Sequence, residues 1–251
     1  LLIVKNYTGD RLNFGLAAER ARAFGLQVSM VVVDDDIALP HLPQARGVAG
    51  TLFVHKVAGA LAESGADLDA VTEAARSTIA NTASIGTSLD TCTVPGSAKE
   101  DRIAKGKAEL GLGIHGEAGV EQVAFTDART AMDQVLEKLG PKVGDGPHVA
   151  ILNNLGSTTP LEMSILAHEL ASSDRAKNID YIVGPSPLMT SLDMHGFSVS
   201  VLPVTAENQA HLESSVEPSA WPGMKQVAPA IVRPLPDGLG TIKPNTSVNA
   251  A

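Results

Sequence analysis

Residues 1–36 read LLIVKNYTGDRLNFGLAAERARAFGLQVSMVVVDDD, and the changes of pattern inside that stretch decide the fold. A short apolar run, 1–4, breaks into the polar turn Asn6-Tyr7-Thr8-Gly9-Asp10, as a buried strand does where it leaves a sheet. From 13 to 24 the apolar positions Phe14, Ala17, Ala18, Ala21 and Phe24 recur at helical spacing, with Gly25 placed as the stop. Residues 27–33 are mostly apolar and close on Asp34-Asp35-Asp36, the mark of a strand covered on both faces. Strand, helix and strand in that order predict a right-handed crossover and a parallel sheet.

The same rhythm runs on down the chain. Residues 47–63 predict a long helix with Gly65 beyond it, and 68–81 a second with Asp67 or Asp69 near its start. Residues 84–94 alternate as a strand does and stop at Pro95-Gly96. A short strand over 109–114 runs into His115-Gly116-Glu117; helices over 128–139 and 160–170 and strands over 147–152, 179–183 and 197–204 complete the pattern. The pattern changes after Pro95, which divides the chain into an incomplete first α/β domain, 1–95, and a second α/β domain, 96–228, carrying His115. The Pro-, Gly-, Asn- and Ser-rich residues 229–251 read as a linker or disordered tail.

Composition narrows the function. The apolar fraction of 44% comes from Ala, Leu and Val with few aromatics, which favours helices packed on a parallel sheet. A net charge of −9 argues against nucleic-acid and anionic-membrane partners, which select basic surfaces, and leaves a small molecule or another protein. Cys92 is the sole cysteine, so the chain builds neither an internal disulfide nor a cysteine metal site, and a reducing cytoplasm fits. The longest apolar runs, 28–33 and 199–204, fall far short of the ~20 residues a membrane span needs. The first residues carry no signal-peptide layout and read as a chain entered mid-strand.

Several stretches could carry chemistry. In Gly111-Leu-Gly-Ile-His115-Gly-Glu-Ala-Gly119 a histidine at a strand end is flanked by glycines that let backbone approach a ligand; a plain turn is the alternative. Lys5-Asn6-Tyr7-Thr8-Gly9-Asp10 lies where open α/β sheets bind ligands, and Asp10 is either a general base or the cap of the following helix. Asn153-Asn154-Leu155-Gly156-Ser157-Thr158-Thr159 is an anion site at a helix start or a polar turn with a capped helix; it lacks the Lys-Ser/Thr ending of a phosphate loop. The triplet Asp34-Asp35-Asp36 either binds Mg²⁺ or is a solvated strand end. His41 and His55 read as structural, and His148, His168 and His211 have no evident partner.

Taken in order, KNYTGDRLNFGLAAE (5–19), VVVDDD (31–36), ARGVAGTLFVHKVAGALAE (45–63), CTVPG (92–96), ELGLGIHGEAGV (109–120), NNLG (153–156) and SLDMHGFSVSVL (191–202) resemble the substrate-binding domain of dihydroxyacetone kinases. The likeness extends to about Trp221 and is closer to the ATP-dependent branch than to the phosphotransferase-coupled one. It implies two α/β domains of that type, with the family's upstream Gly-His-Glu-Pro segment missing from this chain. It also implies that His115 forms a covalent hemiaminal with the ketone of dihydroxyacetone or a close ketose, that Asp10 acts on the hydroxyl to be phosphorylated, and that Lys5 contacts substrate. ATP and Mg²⁺ are then expected on a separate nucleotide-binding kinase domain or subunit, with none bound by this chain, and a homodimer is expected. A neutral imidazole, with an ordinary pKa near about 6.5, can add to a carbonyl. Glycerol has no carbonyl, so this chemistry rejects it by reaction type. The alternatives are a non-enzymatic ketose-binding regulatory protein and a nucleotide-sugar-type lyase or cyclase of the kind some ATP-dependent relatives also perform.

Overall fold

In the computed structural model, residues 1–39, 45–115 and 117–228 are described. The tail expectation for 229–251, His41 and Gly116 of the histidine motif lie outside them. The opening unit forms as expected: β1 (Leu2–Lys5) pairs in parallel with β2 (Met30–Val33), from Leu2 opposite Met30 to Lys5 opposite Val33, across α1 (Thr8–Ala23). The helix starts earlier than its apolar spacing predicts. Tyr7 is its N-cap in extended conformation with no side-chain cap bond, and Asp10 sits inside the first turn, where a carboxylate meets the positive end of the helix dipole. Asp10 is therefore not the cap. Gly25 ends the helix at φ +83°, a left-handed stop.

The apolar face of α1 is not the buried face that its spacing suggests. Only Ala18 is buried, while Phe14 is 40% and Phe24 85% exposed. The helix packs chiefly on the two strands it joins, and that narrow pair covers little of it. Beyond β2, α2 (Thr51–Glu63) and α3 (Leu68–Asn81) pack on each other, and Val54, Ala58, Val71 and Ala75 close a core over Val31 and Val33. Asp67 caps α3 by accepting the Ala70 amide at 2.8 Å.

A second sheet has seven strands: β3 (Ala83–Ser88), β4 (Lys107–Leu110), β5 (Glu121–Ala124), β6 (His148–Asn154), β7 (Ile179–Ser186), β8 (Gly196–Pro203) and β9 (Met224–Gln226). Their order is β5-β4-β3-β8-β6-β7-β9, and only β6 and β7 pair in parallel. The parallel-sheet expectation thus holds for β1 and β2 and fails for the larger sheet, where Ala- and Val-rich strands read alike in either sense. The expected boundary at residue 95 falls between β3 and β4, yet these are hydrogen-bonded neighbours, with Thr87 opposite Leu110. Sheet pairing therefore crosses it.

Alternation along β6 shows how the sheet is covered. Val149 and Ile151 face a cluster with Phe53 and Val57 of α2, while Ala150 and Leu152 face Met132 and Leu136 of α4 (Ala128–Leu139) and Leu166 of α5 (Pro160–Ser172). Met132, Leu136 and Leu152 are all inaccessible, and truncating such a side chain costs about 2–5 kcal/mol, so this layer and not α1 dominates stability. On the α2 side the buried Lys56 ammonium closes α6 (Ala206–Glu213), donating to the carbonyls of His211 and Ser214 at 2.7 and 2.6 Å and to the Ser214 hydroxyl at 2.5 Å.

Candidate functional site

His115 lies on the loop joining β4 to its antiparallel neighbour β5, at the sheet edge. Glycines shape that loop for steric reasons. Gly111 has φ +75°, and a Cβ there would stand 2.7 Å from Val120 Cγ2. A Cβ on Gly113 would collide with the Glu117 carboxylate and come within 3.0 Å of Arg46 Nη1. That missing side chain lets Glu117 fold back on the histidine: its Oε2 accepts the His115 amide at 3.0 Å, and its Oε1 stands 3.5 Å from Nδ1. The imidazole also meets Tyr7, whose ring lies 4.5 Å away centroid to centroid at an interplanar angle of 80°. The His115 side chain is 55% exposed, so a solute reaches it.

Tyr7 follows β1 directly, and the Lys5 ammonium lies 6.0 Å from its ring centroid, at the outer limit of cation–π attraction. Lys5 and His115 are thus joined through Tyr7. Asp10 stands three residues beyond Tyr7 on the same helical turn and, among the described residues, its carboxylate accepts no hydrogen bond and forms no ion pair. The Tyr7 hydroxyl is buried without a hydrogen-bond partner among the described residues. Burial, with Glu117 and Asp36 adding to it, pushes that phenol well above its ordinary value; Arg46 and the Ile114 amide oppose this without forming a regular hydrogen bond to it.

Arg46 ties the histidine loop to the acidic triplet. Its Nε and Nη2 lie 2.7 and 2.6 Å from Asp36 Oδ2, and Nη2 also donates to the Gly111 carbonyl at 2.7 Å. Asp36 is buried and Arg46 largely so, and removing Arg46 is expected to be costly because the buried carboxylate stays behind without its counter-ion. Asp35 is buried too, accepting the amides of Val48 and Gly50, each at 2.8 Å, and the Ser84 hydroxyl. Neither reading of the triplet therefore holds: Asp34 is exposed, but Asp35 and Asp36 are internal braces, neither solvated nor open to a metal. Among the described residues no group of three or more His, Cys, Asp or Glu side chains could hold a metal ion, and no helix is long and apolar enough to cross a membrane.

Asp35 gives a testable pH dependence. Burial pushes its carboxyl up to about 6, against the lowering by Ser84 and the two amides. The folded state then holds the proton more tightly than the unfolded chain, so the Asp35 contribution is full below the ordinary value of 3.8 and is lost as pH rises to about 6. The loss is at most about 3 kcal/mol. Asp36 shifts the same way, again through burial, whereas Asp193, held at about 2 by the Thr93 hydroxyl and amide, loses its contribution only as pH falls below 3.8. Urea midpoints are expected to fall between pH 4 and 6, with the Asp35 carboxyl carbon titrating near 6 by NMR. A midpoint near 4 would show that burial does not govern this group.

The 153–159 stretch is the capped turn of its two readings. Asn153 accepts the amides of Leu188 and Met189, Asn154 accepts Gly156 N–H and donates to the Thr158 carbonyl, and Thr159 forms a capping box with Glu162. An apolar cavity of about 100 Å³ lined by Ala108, Phe125, Leu166 and Phe197, with Glu162 and His195 on its wall, lies apart from Lys5, Asp10 and His115. His148 is buried with Nδ1 3.0 Å from the Gly146 carbonyl. Sequence reasoning assigns no role to Tyr7, Glu117 or Arg46. All three stand inside the family-like stretches, Tyr7 in 5–19, Arg46 in 45–63 and Glu117 in 109–120, and Gly113 is the one local hint that something folds back on the histidine.

The fold is mixed α/β, and a loop at the edge of its larger sheet carries a glycine-framed, half-exposed histidine beside a carboxylate and a strand-end tyrosine. The chain belongs to the Dak1 domain family, whose model matches residues 1–220. It is 44% identical over 224 residues to the dihydroxyacetone kinase of Citrobacter freundii, covering 88% of this chain and 41% of that protein. It is 37% identical over 232 residues to the dihydroxyacetone-binding subunit DhaK of PTS-dependent dihydroxyacetone kinase 1 from Listeria innocua, covering 88% of this chain and 70% of the subunit. A crystal structure of the C. freundii kinase in complex with AMP-PNP and Mg²⁺ superposes with a TM-score of 0.90 at 40% identity, over 96% of this chain and 45% of that one. The chain therefore spans less than half the length of that kinase.

Proposed function

We propose that this chain is the ketose-capturing part of a dihydroxyacetone kinase, holding dihydroxyacetone or a close ketose as a hemiaminal on His115. The observation that carries this reading is the placement of Glu117 beside Nδ1, which leaves Nε2 of an exposed imidazole to act. The Nε2 lone pair forms a bond to the ketone carbon, the carbonyl π pair moves to oxygen, and that oxygen takes a proton. Every atom of the ketose is retained. The imidazole gains positive charge in this step, and the Glu117 carboxylate is already positioned to offset it. Lys5 orients the bound ketose, and Asp10 receives the proton of the hydroxyl that attacks the phosphoryl group.

ATP and Mg²⁺ belong, in this reading, to a separate nucleotide-binding domain or subunit. The described donor set supports that: Asp35 and Asp36 are consumed internally, and the donor-rich loop over 153–159 is a closed capped turn. The relative solved with AMP-PNP and Mg²⁺ is more than twice as long as the matched region. The same reading carries a cytoplasmic location, which the free, buried Cys92 suits, and a homodimer, as the resemblance implies. Gentle intact-mass spectrometry tests the central claim: the protein is expected to gain one whole dihydroxyacetone, to gain nothing from glycerol, and to lose the addition on dilution. No addition, or equal addition from glycerol, would refute it.

A further inference from the structure

We infer that Tyr7 is the positioning residue for His115, holding the imidazole in the orientation from which it takes up the ketose. The inference rests on the capture reading above and assigns a task to a side chain more than a hundred positions away in sequence. Tyr7 is fixed from both sides, by β1 ending at Lys5 and by α1 starting at Thr8, with its own backbone extended as the helix N-cap. Its ring stands 4.5 Å from the imidazole at 80°, the edge-to-face arrangement in which a small rotation of either ring loses the contact. Glu117 Oε1 stands 3.5 Å from Nδ1, so the imidazole has a second neighbour besides the Tyr7 ring, and the two together restrict its rotation. The hydroxyl is buried and makes no regular hydrogen bond among the described residues, which leaves the ring as the side chain's defined contact there, with the imidazole and, at 6.0 Å, the Lys5 ammonium. An unconstrained half-exposed histidine samples several rotamers, and only a fraction aims Nε2 at the bound ketone; fixing the ring raises that fraction.

The contrast between Tyr7→Leu and Tyr7→Phe tests this. Leucine removes the aromatic ring, and the adduct population at fixed dihydroxyacetone is expected to fall about tenfold. Phenylalanine keeps the ring and is expected to stay near wild type. The readout that a merely structural role would not move is the NMR shift of the His115 ring protons in the free protein: the Tyr7 ring current displaces them, so they should move in Tyr7→Leu and hold in Tyr7→Phe. If leucine unfolds the protein, cross-relaxation between Tyr7 and His115 ring protons in the wild type decides the contact, and Tyr7→Phe decides the role of the ring. Unchanged His115 resonances or undiminished adduct in a folded Tyr7→Leu, absent cross-relaxation, or a Tyr7→Phe protein that loses the adduct would overturn the inference. Absence of adduct in the wild type would instead overturn the capture reading, a separate result.

Discussion

His115→Ala is expected to abolish the ketose adduct completely while leaving the folded protein as stable as before. The histidine loop is held by groups other than the imidazole: the Gly111 amide bonds the Gly86 carbonyl at 2.7 Å, Gly113 N–H bonds the Glu117 carbonyl at 3.2 Å, and Arg46 holds the Gly111 carbonyl. The imidazole itself is more than half exposed, and surface substitutions away from special features usually change stability by about 0.5 kcal/mol or less. Dihydroxyacetone should also raise the unfolding temperature of the wild type, because a ligand bound only by the folded state stabilises it by mass action, and that protection should vanish in His115→Ala. Mass spectrometry also separates the nearest rival. Were Lys5 the trap, its amine would form an imine and the added mass would lack one water, whereas the hemiaminal keeps it. An adduct that persists in His115→Ala, with or without water loss, places the nucleophile elsewhere.

The elements legible in the sequence were those whose ends carry their own chemistry. The helix over 128–139 was bounded correctly, as the Asp127 cap and its apolar spacing require, and 68–81 was fixed by Asp67. Elements without such signals were missed. β5 reads EQVA and is largely exposed at the sheet edge, so it lacks the alternation of a half-buried strand, and β9 is a three-residue edge strand. α6 buries only Leu212, so its polar sequence shows no apolar stripe even though Thr205 and Asn208 form its capping box. The start of α1 was lost because tyrosine is not a usual N-cap residue. At the site, His115 and Lys5 stood out because each lies in a glycine-bearing polar stretch at a strand end. The contacts that give them a setting, Tyr7 to His115 and Arg46 to Gly111, join residues far apart in sequence, and one chain without its fold does not show them.

Asp10→Asn is expected to leave ketose capture near wild type and to slow phosphoryl transfer by about 10²- to 10⁴-fold, the usual worth of a general base. The placement of Asp10 is what makes this a clean experiment. Had it capped α1, the amide would have disturbed the helix start and with it Tyr7 and the histidine site, so capture and turnover would fall together. Asp10 instead lies inside the first turn, where the structure gives its carboxylate no hydrogen bond among the described residues, and the neutral, isosteric side chain gives up only a dipole interaction of about 0.3–1 kcal/mol. In the proposed reading, carbonyl addition needs no base at Asp10, since His115 would supply the electron pair, whereas deprotonation of the attacking hydroxyl would need one. The measurement is a pair: adduct population by mass spectrometry on this chain, and rate of ketose phosphate formation when the chain is combined with the proposed nucleotide-binding domain, ATP and Mg²⁺. Loss of turnover with capture intact assigns Asp10 to proton transfer. Equal loss of both would show that the carboxylate holds the loop together, and unchanged turnover would move the base to another residue.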